Sequence, residues 1–317
     1  MLISTTACGM SSSKHRAESD PGTTSQVSPH ILFTGSSELD SGLPPGGGNT
    51  YGPEVHKIDG TWVMFYGGQG ANGVERIFRT TSKEGISWKP GEVVVDDPEL
   101  ALEQDPSVVQ VNGVLHMFYT GAKVGIIDRI YHVSSRDGIH WTRLGEALGP
   151  GPKGAWDSNL VGRPSVMVEA GRWTMYYDGC TSTSSAPMDA CKGSFRSVGV
   201  ATSTDGLHWR KVGSKPIVPV AEAVHVSRYK GALIMLAESP LGTRIIVSRD
   251  SKTWADRGIL VQRDGQGRGH VTPYLLYDDK TGKPVRLYMG LIRDMCWCHN
   301  ALSAADLPPN ALDPYVG

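Results

Sequence analysis

"DPSVVQVNGVLHMFYTG", residues 105–121, opens on an acid and a proline, turns at Asn112-Gly113 and closes on an aromatic pair before a glycine. Between these marks apolar and polar residues alternate. Period two puts one set of side chains on each face of a strand, and Asn-Gly is a two-residue turn signal, so the stretch reads as an antiparallel hairpin. The spacing recurs in "GPEVHKIDGTWVMFYGG" (52–68) and "RPSVMVEAGRWTMYYDG" (163–179). Each copy carries a proline, a glycine seven residues later and an aromatic five residues beyond that. A fourth copy, "AVHVSRYKGALIMLAES" (223–239), keeps the glycine without the proline; a fifth, "TPYLLYDDKTGKPVRLYMG" (272–290), has a longer turn.

A second mark follows four of the hairpins: "SKEGISW" (82–88), "SRDGIHW" (135–141), "STDGLHW" (203–209) and "SRDSKTW" (248–254). The acid can cap a turn made by the next residue, and the tryptophan can return to pack between sheets, so these residues read as structural. No long stretch shows a helical period, and the Val-, Ile-, Tyr- and Thr-rich segments give about four antiparallel strands per repeat. Five such units, with 45 to 68 residues between successive serine marks, fit small sheets repeated about an axis. The fold class is therefore all-β, a five-bladed β-propeller, with blades beginning near residues 51, 103, 160, 220 and 270. A β-sandwich would give no reason for two signatures in the same order.

The 317-residue chain is 39% hydrophobic, enough for a packed core, and its 31 Lys+Arg balance 32 Asp+Glu. With no basic block to follow a phosphate backbone, nucleic acid is not an expected partner. No apolar run reaches the roughly 18 residues of a transmembrane segment. Residues 1–29 read as a disordered tether, since the Ser/Thr/Gly/Lys/Glu tract buries too little surface to fold, and residues 30–317 as the propeller domain. "TTAC", ending at Cys8, is read either as the remnant of a bacterial lipoprotein signal, making Cys8 a lipid anchor, or as an incidental cysteine in a tail. Cys180 and Cys191 enclose a short polar loop, and a disulfide there is worth roughly 2 to 3 kcal/mol. That pair points to an oxidising, extracytoplasmic location. Cys296 and Cys298 either pair or stay reduced, and with His299 they supply too few ligands for a zinc site.

In a propeller the innermost strands line a central channel, and ligands bind where they begin together. Asp105 stands at such an entry, with Ser107 on its face of the strand. The other blades contribute Glu54, two residues after Gly52; Arg163, with Asp157 in the preceding loop; Glu222; and His270 in "GRGHVTP". Unlike polar residues at one repeated place are what a site grafted onto a scaffold would produce. The structural alternative is that Glu54 and Asp105 bind turn amides or pair with Arg163. Two carboxylates across a polar channel suit glycoside cleavage, in which burial and mutual repulsion raise one pKa, and their separation would decide between inversion and retention. Tyr51, Trp156, Tyr274 and Trp297 could stack on sugar faces or pack in the core.

"DPSVVQVNGVLHMFYTG", "SVGVATSTDGLHW" and "GRGHVTP" resemble the five-bladed propeller glycoside hydrolases of family 43 and the related families 32, 62, 68 and 117, over residues 51 to about 307. The resemblance implies a base or nucleophile from blade one, an acid-tuning aspartate from blade two and, in family 43, a glutamate acid from blade three. Asp105 matches the second role. The first falls on Glu54, because Gly52 stands where an aspartate precedes the proline, with Asp40 in reserve. Blade three offers Arg163 instead of a glutamate, which leaves Glu222 or His270 as the acid. His270 also resembles a fifth-blade histidine near a central calcium, so a structural calcium stays open, although the cleavage requires no cofactor.

The expected function is an extracytoplasmic glycoside hydrolase acting on a poly- or oligosaccharide, with a furanoside such as arabinan among its substrates. Arg163 would clamp the sugar with Asp157, Tyr51, Trp156 and Asp40. The alternative is a carbohydrate-binding propeller that has lost its acid. A phosphorylase would need a basic phosphate pocket, and Arg163 with Arg268 does not make one.

Overall fold

A computed structural model describes residues 29–34, 49–69, 74–89, 91–181, 191, 196–266, 268–292 and 300–317. The strands form five four-stranded antiparallel sheets. Blade one holds β2 (Thr50–Ile58), β3 (Thr61–Gln69), β4 (Glu75–Ser82) and β5 (Glu92–Val95). Blade two holds β6 (Leu102–Val111), β7 (Val114–Ala122), β8 (Arg129–Ser135) and β9 (Thr142–Leu148). Blade three holds β10 (Leu160–Glu169), β11 (Arg172–Cys180), β12 (Ser197–Ser203) and β13 (Arg210–Lys211). Blade four holds β14 (His225–Tyr229), β15 (Ala232–Ala237), β16 (Gly242–Ser248) and β17 (Ala255–Gln262). Its inner strand starts five residues after the position expected from sequence.

Blade five is completed from both ends of the chain. β18 (His270–Tyr277), β19 (Pro284–Leu291) and β20 (Ala301–Asp306) are joined by the N-terminal β1 (His30–Thr34), which pairs with β20. The ring is thereby closed by hydrogen bonds between distant segments, because the outermost strand of the last blade comes from the start of the chain. Among the described residues no helix is long and apolar enough to cross a membrane.

The four serine marks are the joints of the scaffold. The hydroxyls of Ser82, Ser135 and Ser203 accept hydrogen bonds from the amides of Gly85, Gly138 and Gly206 at 3.0, 2.8 and 2.9 Å. Asp137, Asp205 and Asp250 each accept two further turn amides. The fourth position is left-handed in every mark, at φ 69°, 71° and 75° for the glycines and 60° for Ser251.

Each tryptophan then meets an aromatic ring of the preceding blade edge-on. Trp88 meets Tyr288, Trp141 meets Phe65, Trp209 meets Phe118 and Trp254 meets Tyr176, with centroids 5.3 to 6.4 Å apart. Such pairs add about 0.5 to 1.5 kcal/mol beyond the area they bury. The main apolar clusters follow the same logic and lie between neighbouring sheets: Phe65 and Val63 with Met117 and Val133, for example, or Ile234 and Val247 with Leu275 and Leu287. Alternation along each strand gives both faces of a blade a partner.

Candidate active site at the axial mouth

Every inner strand enters the axis through one left-handed residue. These are Gly52 (φ 60°), Asp105 (51°), Arg163 (45°), Ala223 (48°) and Thr272 (45°). All but Ala223 precede a proline, and in four blades the strand register shifts at this point. A non-glycine residue in this region costs roughly 1 kcal/mol or more and persists where its surroundings hold it. Here the backbone is held by the neighbouring blade. Gly52 N donates to Thr272 Oγ1 at 2.7 Å, Arg163 N to Thr120 Oγ1 at 2.7 Å and Ala223 N to Asp178 Oδ2 at 3.0 Å. The positions equivalent to Asp105 in blades four and five are thus Ala223 and Thr272, which corrects the sequence alignment on Glu222 and His270. The residue at the left-handed bulge, rather than the nearest polar residue, marks the place.

Two residues further on, the inner strands are latched in sequence. Glu54 Oε1 accepts from Val108 N at 3.1 Å, Ser107 Oγ from Val166 N at 3.0 Å and Ser165 Oγ from Val226 N at 2.8 Å. Tyr274 OH donates to the Val55 carbonyl at 2.7 Å, and His225 packs on the Tyr274 ring at 4.6 Å between centroids. Glu54 therefore fills a place that serine fills in blades two and three, and it also bonds His56 Nε2 at 3.2 Å. The axial cavity lined by Glu54, Asp105, Ser107, Arg163, His225 and Thr272 measures about 30 Å³. That is room for about one water, whereas ligand pockets run to hundreds of Å³. A sugar would have to lie on the mouth above it.

At the mouth, carboxyls outnumber guanidinium groups. Arg163 Nη1 donates to Glu222 Oε2 at 3.2 Å and to Glu238 Oε1 at 3.4 Å, and Asp178 Oδ2 lies 3.5 Å away. Arg196 Nη1 donates to Asp178 Oδ1 at 3.0 Å, and its Nε lies 3.6 Å from Glu222 Oε2. Burial lowers the Arg163 pKa, but Asp178, Glu238, Glu222 and Asp105 more than offset it, holding the group well above its usual value. Burial pushes Asp105 up to about 7, with Arg163 opposing and Asp178 and Glu75 reinforcing. Burial likewise pushes Glu238 up to about 8 against the pull of Arg163, with Glu222 and Asp178 adding to the rise. Glu75 and Asp128 are also raised, chiefly by burial.

The structure brings Glu54, Asp105 and Arg163 to one cavity, with Glu222 bonded to Arg163, and places the remaining expected residues elsewhere. Asp157 is buried in blade three, bonded to Tyr177 OH at 2.9 Å and Lys211 Nζ at 2.5 Å. Trp156 stacks on Tyr177. Tyr51 is buried and donates to Gln104 Oε1 at 2.7 Å. His270 is fully buried, with Nδ1 2.8 Å from Thr243 Oγ1, and burial lowers its pKa to about 4. It is neutral near pH 7 and cannot reach a substrate from this position. Asp40, Trp297, Cys8, Cys296, Cys298 and His299 lie outside the described residues. The Cys180–Cys191 disulfide is formed.

A calcium ion fits His270 poorly. Calcium takes six to eight oxygen ligands, and among the described residues no group of three His, Cys, Asp or Glu side chains is arranged to hold a metal ion. The residues that sequence reasoning missed are Asp178, Arg196 and Glu238. Two of them carried a signal, because the residue after the aromatic pair varies as Gly67, Thr120 and Asp178, and Glu238 closes the fourth copy of the hairpin.

No family model matches the chain. It is 33% identical over 142 residues to Uncharacterized protein Rv1502 of Mycobacterium tuberculosis, an alignment that covers 40% of this chain and 45% of that protein. The chain thus matches less than half the length of that relative. Among solved structures, Zg3597, a family 117 glycoside hydrolase of Zobellia galactanivorans, superposes with a TM-score of 0.67 at 14% identity, covering 89% of this chain and 90% of that one. A glycosyl hydrolase from Bacteroides ovatus gives 0.61 at 15% identity, over 90% and 91%. A thermostable family-43 glycoside hydrolase gives 0.61 at 12% identity, over 84% and 90%. At these identities the likeness is one of fold: the chain is a five-bladed propeller of the form seen in these glycoside hydrolases.

Proposed function

We propose that the protein is an extracytoplasmic glycoside hydrolase that cleaves a poly- or oligosaccharide at the axial mouth. The observation that carries this reading is the pair of carboxyls on one guanidinium nitrogen, Glu222 and Glu238, in unlike surroundings. The Glu222 side chain is 40% exposed and faces two guanidinium groups, whereas that of Glu238 is 8% exposed. Glycoside cleavage needs one carboxylate and one protonated carboxyl, and unequal burial separates them. Asp105, beside Arg163, tunes the field, and Arg163 positions the pair. The fold shared with solved glycoside hydrolases agrees with this reading, and the disulfide agrees with an oxidising compartment. Cys8 would add a lipid anchor.

The test is turnover of a panel of aryl glycosides and polysaccharides, arabinan first, with Asp105→Asn as control. A second reading, a carbohydrate-binding propeller, draws on Gly52, which leaves the first blade's left-handed position without a side chain. Sugar that binds and survives, with no product from any linkage, would favour it.

A further inference from the structure

The geometry points to Glu238, rather than Glu222 or His270, as the proton donor of this site, with Glu222 as its nucleophilic partner. The inference rests on the glycoside hydrolase reading and names the residues that carry it out. Both carboxyls accept from the same Arg163 Nη1, at 3.2 Å for Glu222 and 3.4 Å for Glu238. Two oxygens at these distances from one nitrogen can lie no more than about 6.6 Å apart. That bound takes in the separation of about 5.5 Å at which a second carboxylate attacks the sugar directly, and reaches only the lower edge of the gap that admits a water between the two.

Unequal surroundings assign the roles. Two carboxyls so close do not both ionise easily, and the more buried one keeps its proton. Glu238 follows the last residue of β15, and its amide donates to the Glu222 carbonyl at 3.3 Å, which holds the two backbones side by side at the open end of the β14–β15 hairpin. The charged groups that face Glu238 are Arg163 and Asp178 of blade three, Arg196 ahead of β12, and Glu222. Glu222 lies nearer water and is shared by Arg163 and Arg196.

In the first step the bond from the anomeric carbon to the leaving oxygen breaks, its electron pair stays on that oxygen, and the oxygen takes the Glu238 proton. Glu222 forms an ester to the anomeric carbon. In the second step Glu238, now a carboxylate, takes a proton from water, whose oxygen displaces Glu222. One water is consumed and both side chains return to their starting states.

Three measurements test this. In infrared difference spectra at pH 7, the protonated-carboxyl band of the wild type should weaken in Glu238→Gln, leaving the share that Asp105 and Glu103 contribute; this needs no substrate, and an unchanged band overturns the inference. With substrate, Glu238→Gln should slow unactivated glycosides by about 10² to 10⁴-fold and dinitrophenyl glycosides far less; equal losses overturn it, as does selective loss in Asp105→Asn instead. The first product seen by proton NMR should keep its anomeric configuration, and inversion would overturn the assignment of Glu222. A wild type that turns over nothing on the panel sinks the hydrolase reading itself and is distinguishable from these results.

Discussion

A Cβ placed on Gly52 would stand 3.2 Å from the Cα of Asp105 and 3.5 Å from its Oδ1. Blade two thus leans into the space that a side chain at the first blade's left-handed position would need. With φ at 60°, Gly52→Ala should cost about 1 to 2 kcal/mol, measurable by denaturant unfolding. Gly52→Asp should be destabilised further and gain no activity. A stable, more active Gly52→Asp protein would show that blade one can still supply the missing carboxylate.

Asp105 sits beside Arg163 with its pKa raised to about 7 by burial. Asp105→Asn keeps the shape and removes the titration. The variant should stay folded, lose at least tenfold in kcat/KM, and show a displaced alkaline limb in its pH profile. An unchanged profile would take Asp105 out of the site.

Three buried carboxyls predict how stability varies with pH. Burial raises Glu103 and Asp105 to about 7 and Glu238 to about 8. Each folded-state value lies above the unfolded value near 4, so the folded protein holds more protons than the unfolded chain between these limits. The contribution is full below about pH 4 and is lost as pH rises towards 8. The melting temperature should therefore fall steadily from pH 5 to pH 8, and Glu103→Gln should flatten the slope. A level profile across that window would contradict the burial of these groups as carboxylic acids.

Glu54 serves the interblade latch through the Val108 amide. Glu54→Gln keeps an acceptor there and should retain activity within a few-fold, while Glu54→Ala should lose about 1 to 3 kcal/mol because the buried amide is left unpaired. A hundredfold loss in a stable Glu54→Gln protein would return the residue to catalysis.

Trp141 lies edge-on to Phe65 across blades one and two, 5.6 Å between centroids. Trp141→Ala should cost about 3 to 5 kcal/mol, as large-to-small changes in a core do. A loss below 1 kcal/mol would mean that the serine marks do not join the blades.

The repeat count, the strand pattern and the packing role of the tryptophans were legible in the chain because they depend on spacing alone. Pro106, Gly113 and Phe118 fix a hairpin wherever it sits, and the same spacing around Pro53 and Pro164 fixes two more. Asp105 and Arg163 were found because a proline marks the left-handed entry to the axis. Where blade four lacks that proline, counting slipped by one residue, and in blade five it was drawn to His270 instead of Thr272. What only the tertiary structure decided is which acids share a neighbour. Glu222, Glu238 and Asp178 are brought around Arg163 from separate strands and loops, and Asp157 is taken away by Lys211. The physical reason is that a strand's spacing is set by its own backbone, whereas a carboxyl's protonation is set by burial and by charges supplied from other blades.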